Sequence, residues 1–178
     1  MACPWRAGPV SDEVRAAATP DDYASFATLI KEYFDWMFAR YGDLRGFIEA
    51  VGGHQGVDEE LRDLPSRFGP PAGKALIAWR GADPVGCVAY KDLGGGAAEM
   101  KRLFVPERFQ GGGLGRRLAE AVVDVARADG FTSMKLDTGF LHEEAMGMYA
   151  SMGFRRCDPY IDYPPDLLPH LRFFERDL

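Results

Sequence analysis

The sequence predicts a single α/β (α+β) domain with a central mixed, mostly antiparallel sheet flanked by helices. Short apolar runs typical of strands alternate with helical patterns along the whole chain. No internal repeat or low-complexity linker divides it. Its 178 residues, 47% hydrophobic and 27% charged, are enough for one domain with a sizeable core. We therefore expect one domain over residues 1–178, with residues 1–12 as a loose N-terminal segment.

The first part of the chain predicts a strand followed by two helices. Residues 13–18 have the pattern of a short strand. Thr19-Pro20-Asp21-Asp22 has the features of a helix start: a capping threonine, a proline at the first helical position and acids in the first turn. Gly42 and Gly46 interrupt the helical period that follows. A second, shorter helix is expected over residues 57–64.

After Gly69 the pattern predicts strands with helices between them. Turn signals at residues 81–84 and 94–96 separate the first strands. A strongly amphipathic helix over residues 114–128 ends before Gly130. Strands are predicted at residues 75–80, 85–91, 97–105 and 131–138, from 154 and at 171–178, with a further helix at 143–152. The predicted order is β-αα-βββ-α-β-α-ββ.

Composition argues against several classes of protein. The net charge of −6 and a pI near 5.1 argue against a nucleic-acid partner, because such proteins carry a basic stripe. The cysteines and histidines lack the spacing of a disulfide framework or a metal site, so no metal is expected. They are Cys3, Cys87, Cys157, His54, His142 and His170. No apolar run spans a membrane and the N-terminus lacks a signal-peptide core, so we expect a cytoplasmic protein without a membrane partner.

A glycine-dense loop joins the strand that ends near Val105 to the helix that begins at Leu114. Glycines let the backbone approach a ligand closely, and the free N–H groups of the first helical turn attract an anion such as a diphosphate. The loop lacks the GxxxxGK[ST] of a P-loop and the GxGxxG of a dinucleotide fold. A plain turn rarely needs four glycines in five positions, as residues 111–115 have.

Four segments together resemble the GNAT acetyltransferases. Residues 110–115 fit the family motif (Q/R)xxGx(G/A), and residues 99–106 are similar to the strand that precedes it. Residues 135–138 resemble the next strand, and residues 145–154, with Tyr149, resemble the helix and signature that follow. The resemblance covers residues 97–156. It implies the GNAT fold and transfer of an acetyl group from acetyl-CoA to an amine, by direct attack within a ternary complex.

The resemblance also implies which residues bind the coenzyme. The loop would hold the diphosphate of acetyl-CoA, the co-substrate, and the preceding strand would meet the acetyl carbonyl and the pantetheine arm through its main chain. The loop residues are Gln110, Gly111, Gly112, Gly113, Leu114, Gly115 and Arg116, and the strand residues are Leu103, Phe104 and Val105. Ordinary pairing of the strand in the sheet is the alternative.

Two side chains are candidates for catalysis. Tyr149 matches the tyrosine that is the general acid in many relatives, and its unperturbed pKa of about 10 suits protonation of a thiolate. Glu99 lies eleven positions before Gln110, where some relatives carry a base that acts through water. The alternatives are a packing aromatic and a carboxylate paired with Lys101. His142 occupies a position where the family often has asparagine.

The acceptor is expected to be a small-molecule or peptide amine. In the family, the first two helices and the loop before the last strand surround the acceptor. Here these segments hold many aromatics and, in the loop over residues 158–166, Asp162, which would suit a cation. The aromatics are Tyr23, Phe26, Tyr33, Phe34, Trp36, Phe38 and Tyr41. A non-catalytic acyl-CoA-sensing or partner-binding module is the alternative, and exposed strand edges would permit a homodimer.

Overall fold

The computed structural model describes residues 12–178, which form one seven-stranded sheet with helices on both faces. The strands are β1 (Glu13–Ala16), β2 (Gly73–Arg80), β3 (Asp83–Gly94), β4 (Ala97–Phe104), β5 (Ser133–Gly139), β6 (Arg155–Arg156) and β7 (Leu171–Asp177). Their order is β1-β2-β3-β4-β5-β7-β6. Neighbouring strands are antiparallel except β4 and β5, which run parallel. The predicted α/β fold with a mixed, mostly antiparallel sheet is therefore confirmed.

The helices divide between the two faces of the sheet. They are α1 (Pro20–Tyr41), α2 (Arg45–Gln55), α3 (Val57–Arg62), α4 (Leu64–Phe68), α5 (Leu114–Ala128) and α6 (Glu143–Ser151). On one face, Phe26 of α1 and Phe68 of α4 pack with Ile77 of β2. On the other face, Leu118 of α5 joins a core that also contains Tyr149 of α6. Each face buries its own apolar cluster, which holds the sheet between two helical layers.

The predicted start of α1 is confirmed in its geometry. Thr19 Oγ1 accepts a hydrogen bond from the Asp22 amide at 3.1 Å, and the Asp22 carboxylate accepts one from the Thr19 amide at 3.0 Å. This is a capping box, in which two otherwise unpaired donors are satisfied reciprocally. The hydrogen bond from Arg15 holds the pKa of Asp22 well below its usual range. The entry of α1 is thus anchored to β1.

The helical region differs from its prediction in two places. α2 was not expected, because its glycines lower helix propensity. Burial compensates, since Gly52 packs closely under the Phe34 ring of α1 and Ile48 is in the core. The helix expected over residues 57–64 is two helices, α3 and α4, which meet at Asp63. Asp63 leaves the helical conformation and caps α4 by accepting a hydrogen bond from the Ser66 amide.

Smaller differences lie at the ends of the chain. The strand expected from residue 154 is only β6, because Phe154 turns into the core and a proline-containing loop follows Arg156. The predicted N-terminal segment lies outside the described residues except for Asp12, whose carboxylate pairs with Arg80 and Arg117.

β1 and β6 form the outer edges of the sheet, and the homodimer stays a prediction. Within residues 12–178, no helix is long and apolar enough to cross a membrane.

Two irregularities of β4 open the sheet in its middle. The parallel pairing of β4 with β5 covers only Ala97 to Glu99 against Ser133 to Lys135. Beyond this point, β4 contains a bulge at Arg102, a non-glycine residue with φ of 59°. The bulge turns Lys101 and Arg102 toward the same face, that of α1 to α3. The result is a gap between the C-terminal halves of β4 and β5.

Candidate functional site

A cavity of about 440 Å³ occupies the gap between β4 and β5. Its first end, the glycine-loop end, is lined by Gln110 to Arg116 apart from Gly112. Its second end, the α1–α2 end, is lined by side chains of those two helices together with Asp137 and Arg102. Residues Met100–Val105 of β4 and Leu136–Gly139 of β5 form the walls between them. The separation of the two strands therefore creates one continuous space.

The glycine-loop end presents main-chain donors. Gly111 and Gly113 have φ of 86° and 75°, which L side chains rarely adopt. Gly113 caps α5 without a side-chain hydrogen bond, and Arg117 is the first residue of this turn whose amide donates within the protein, to the Gly113 carbonyl at 3.1 Å. Within residues 12–178, the amides from Gly111 to Arg116 have no protein acceptor. Free amides at the start of a helix, together with the helix dipole, favour an anion.

Gln110 supports the loop rather than adding another free amide to it. Its backbone N–H donates to the Glu107 carbonyl at 3.1 Å, and its side-chain Nε2 donates to the Val105 carbonyl at 2.8 Å. Both bonds tie the loop to the end of β4. Leu103, Phe104 and Val105 line the cavity at this point, where β4 no longer pairs with β5. These residues therefore have no strand partner on the side of β5.

Tyr149 lies in the cavity wall between the two ends. Its ring packs edge-on against Phe154, with centroids 5.8 Å apart, and lies at a tilt to Phe174, with centroids 6.1 Å apart. Burial raises the pKa of the Tyr149 phenol above its usual value of about 10, so the hydroxyl is protonated at neutral pH. A protonated phenol at a cavity wall can donate a proton or a hydrogen bond to a ligand.

Glu99 does not line the cavity. Its side chain is fully buried behind Lys101, whose Nζ lies 3.3 Å from Oε1. Tyr160 donates a hydrogen bond to the same oxygen at 3.1 Å, and Lys91 lies 3.0 Å from Oε2. This geometry does not fit the expectation of a base that reaches the acceptor through one water. Instead, Glu99 forms an ion pair with Lys101, which lines the cavity.

Asp137 of β5 is a buried carboxylate that lines the cavity, whereas Glu144 lines its rim and is 79% exposed. Asp137 Oδ1 accepts from Lys101 at 3.3 Å and its Oδ2 accepts from the Tyr163 hydroxyl at 3.3 Å. Sequence reasoning did not select this residue, although the alternation of side chains along β5 indicates the face that it takes. Met134 and Leu136 enter the core with α5, so Asp137 must face the opposite side.

A chain of buried polar groups continues beneath the α1–α2 end. The Arg102 guanidinium donates two hydrogen bonds to Glu60 at 2.7 and 3.0 Å and a third to Gln55 at 2.9 Å. Gln55 in turn donates to Tyr163 at 2.7 Å, which connects this group with Asp137. The network thus joins α2, α3, β4, β5 and the loop before β7. A buried network of this kind fixes the floor of the cavity.

His142 lines the α1–α2 end beside aromatic rings. Its ring lies 5.4 Å from that of Trp36 and 5.6 Å from that of Tyr41. Nδ1 lies 3.1 Å from Thr138 Oγ1, whereas Nε2 is buried and has no partner within residues 12–178. Burial lowers the pKa of His142 to about 4, so the imidazole is neutral at pH 7.

The predicted aromatic residues separate into two groups. Those that line the cavity are Tyr33, Phe34, Trp36 and Tyr41, joined by Phe47, which sequence reasoning did not select. Tyr23 and Phe26 belong to the apolar cluster on β2 and β3, and Phe38 packs under the Arg45 guanidinium. Asp162 is exposed and does not line the cavity. From this loop, Tyr160 and Tyr163 donate hydrogen bonds to Glu99 and Asp137 without lining the cavity themselves.

Comparison with protein families gives a match to the acetyltransferase (GNAT) family over residues 30–154. An uncharacterized N-acetyltransferase of Schizosaccharomyces pombe is 32% identical over 166 residues, which are 92% of this chain and 95% of the relative. An IAA acetyltransferase of Azospirillum brasilense is 38% identical over 119 residues, which are 66% of this chain and 76% of the relative.

Solved structures share the fold. The PaiA N-acetyltransferase of Thermoplasma acidophilum, crystallised in complex with coenzyme A, superposes with a TM-score of 0.71. The match covers 94% of this chain and 99% of that one at 16% sequence identity. At this identity the similarity establishes the fold alone.

Proposed function

Because this chain belongs to the GNAT family of acetyltransferases, we propose that it moves an acetyl group from acetyl-CoA to a primary amine of a small molecule or peptide, by direct attack of the amine within a ternary complex. One observation carries the proposal. A single cavity joins the free amides of the glycine loop to the Tyr149 hydroxyl and the Asp137 carboxylate. These are the groups that a diphosphate, a leaving thiolate and an attacking amine require.

The residues present fit acetyl-CoA. The amides from Gly111 to Arg116 would bind the diphosphate, because they lack protein acceptors within the described chain and lie at the start of α5. The main chain of Leu103, Phe104 and Val105 would meet the pantetheine arm and the acetyl carbonyl in the gap beside β4. Bound there, the coenzyme supplies the activated acetyl group as a thioester.

Tyr149 would act as the general acid. Its burial keeps the phenol protonated, and its position in the wall between the two ends suits donation to a departing thiolate. A spare backbone N–H of β4 would stabilise the negative charge that develops on the carbonyl oxygen. Glu99 would act as a positioning residue, because its carboxylate holds Lys101, which in turn holds Asp137.

The proposal can be tested with unmodified protein. Unfolding is measured in the presence of acetyl-CoA, NAD or ATP, and release of free thiol is then followed with a panel of primary amines. Acetyl-CoA at a hundredfold excess over its Kd is expected to add about 2.7 kcal/mol to the free energy of unfolding, whereas NAD and ATP add less. At least one amine is expected to release thiol at a rate above hydrolysis.

The outcomes separate the alternatives. Stabilisation by acetyl-CoA without thiol release from any amine would identify a non-catalytic acyl-CoA-binding module. Stabilisation by NAD or ATP in place of acetyl-CoA would overturn the assignment of the glycine-loop end to the coenzyme.

A further inference from the structure

Buried carboxylates and cations are paired around the α1–α2 end of the cavity. Three carboxylates, each at most 10% exposed, face two cations that are at most 6% exposed. The carboxylates are Glu60, Glu99 and Asp137, and the cations are Lys101 and Arg102. Lys91 approaches Glu99 from the surface with 41% of its side chain exposed. With Lys91, each of the three carboxylates has a cationic partner, so a ligand can use only the hydrogen-bonding capacity that remains on these groups.

Asp137 is where such a ligand can make contact. Of the three carboxylates, it is the one that lines the cavity in the described chain. Its hydrogen bonds from Lys101 and Tyr163 are both 3.3 Å long, and a carboxylate has about four acceptor positions, so two remain. Tyr149 lines the same cavity as Asp137.

The cations of this end are already bound to protein carboxylates. Arg102 holds Glu60 through two hydrogen bonds, and Lys101 bridges Glu99 and Asp137. At the rim, Arg40 donates to the Leu141 carbonyl and to Glu144. A carboxylate on the ligand would therefore meet no unengaged cation among these three side chains. An acid group next to the amine is disfavoured.

The remaining walls suit a flat apolar body. Five aromatic side chains of α1 and α2 line the cavity, accompanied by Met37, Ile48 and Val51. The aromatic residues are Tyr33, Phe34, Trp36, Tyr41 and Phe47. Aromatic rings prefer offset or edge-on partners, and each such contact adds about 0.5–1.5 kcal/mol to the burial of area. The unpartnered Nε2 of His142, which is 7% exposed, is a second sign of a ligand at these rings.

We propose that the acceptor is an arylalkylamine without a carboxylate, and that Asp137 binds its ammonium group and accepts its proton. The inference rests on the proposed function and names the acceptor class of the same site. In the proton transfer, one N–H bond of the ammonium breaks and the proton moves to a carboxylate oxygen of Asp137. The electron pair of that bond stays on the nitrogen, which then attacks the acetyl carbonyl.

Matched pairs of compounds test the acceptor class on the unmodified protein. 2-Phenylethylamine and phenylalanine differ only in the carboxylate, and 2-phenylethylamine and ethylamine differ only in the ring. Thiol release from acetyl-CoA is measured for each compound. We expect kcat/KM for 2-phenylethylamine to exceed that of phenylalanine and that of ethylamine by at least tenfold. Equal or higher values for either comparison compound would overturn the acceptor class.

Variants of Asp137 test the contact itself. Asp137→Asn keeps the shape and removes the charge, so kcat/KM for the amine should fall at least a hundredfold while the Kd for acetyl-CoA stays within twofold. Asp137→Glu, which restores the charge, should exceed Asp137→Asn in kcat/KM. Glu175→Gln is the matched control, because Glu175 is an ion-paired carboxylate of the same sheet that lies outside the cavity lining.

These results distinguish the inference from the proposed function. If acetyl-CoA binds and other amines release thiol while 2-phenylethylamine does not, only the acceptor class is wrong. If Asp137→Asn retains the activity of the unmodified protein, or if Asp137→Glu is no better than Asp137→Asn, the role of Asp137 is wrong. If no amine releases thiol from bound acetyl-CoA, the proposed function itself fails.

Discussion

The two ends of the cavity are built in different ways. The glycine-loop end uses main-chain donors from one continuous stretch, Gly111 to Arg116, at the start of α5. The α1–α2 end uses side chains that are far apart in sequence. Arg102 meets Glu60 across 42 residues, and Gln55 meets Tyr163 across 108. A local motif therefore specifies the first end, whereas the second end exists only after the sheet and both helical layers have assembled.

This difference predicts how each end responds to change. The glycine-loop end depends on a particular backbone conformation and on free space around the glycines. An added Cβ atom should therefore lower coenzyme affinity there, whereas loss of a distant charge should not. The α1–α2 end depends on paired buried charges, and removal of one partner leaves the other uncompensated. Substitutions at the α1–α2 end should thus change mainly the free energy of unfolding, and substitutions at the glycine-loop end should change mainly the Kd for the coenzyme.

The largest effect is expected when the buried pair of Glu60 and Arg102 is broken. Glu60→Ala leaves the Arg102 guanidinium buried without its bidentate partner, which should lower the free energy of unfolding by about 3–5 kcal/mol. Chemical denaturation measures this loss. Glu59→Ala, on the same helix but 61% exposed, should change stability by about 0.5 kcal/mol or less. Similar effects of the two variants would remove the structural role of the network.

His142 should make stability depend on pH. Its pKa is about 4 in the folded protein, against 6.5 in an unfolded chain, so below pH 6.5 the unfolded state binds a proton that the folded state does not. Stability from this group is full above pH 6.5 and falls by about 3 kcal/mol as the pH drops to 4.

Unfolding free energies at pH 7, 5.5 and 4.5 check this dependence. His142→Asn should flatten the curve over this interval, whereas the exposed His54→Asn should keep the slope of the unmodified protein. An unchanged slope in His142→Asn would show that the histidine is protonated without penalty in the folded state.

Tyr149 lies between the two ends, so its hydroxyl should affect turnover alone. Tyr149→Phe keeps the ring packing against Phe154 and removes the proton donor. We expect kcat to fall about a hundredfold or more, with the Kd for acetyl-CoA within twofold. Tyr23→Phe, which removes a hydroxyl that bonds the Phe68 carbonyl outside the cavity, is the control. Unchanged turnover in Tyr149→Phe would exclude it as the acid.

The smallest effect concerns the conformation of the glycine loop. Gly113→Ala places a Cβ at φ of 75°, which strains the loop by about 1–2 kcal/mol. We expect the Kd for acetyl-CoA, measured by calorimetry, to rise about tenfold. Gly115→Ala is the matched control, because position 115 has no positive φ and open space around its Cβ. Equal affinities of the two variants would mean that the left-handed turn at Gly113 does not shape the anion site.

The same contrast explains what could be predicted from the sequence. The glycine-rich turn before α5, the helix start at Thr19 and the order of the strands along the chain are local patterns, and the structure has them. α2 was missed because its glycines oppose a helix and only burial against α1 compensates. Alternation in β5 indicates the face that Asp137 takes, but the gap that it lines follows from the bulge at Arg102 and the end of pairing between β4 and β5, which no single segment reveals.

The most direct test of the account is a crystal structure of the protein soaked with acetyl-CoA. The account predicts that the diphosphate oxygens accept hydrogen bonds from main-chain amides between Gly111 and Arg116, with the thioester beside Tyr149. A coenzyme bound elsewhere, or a glycine loop whose amides bond to protein groups while the cavity stays empty, would contradict it.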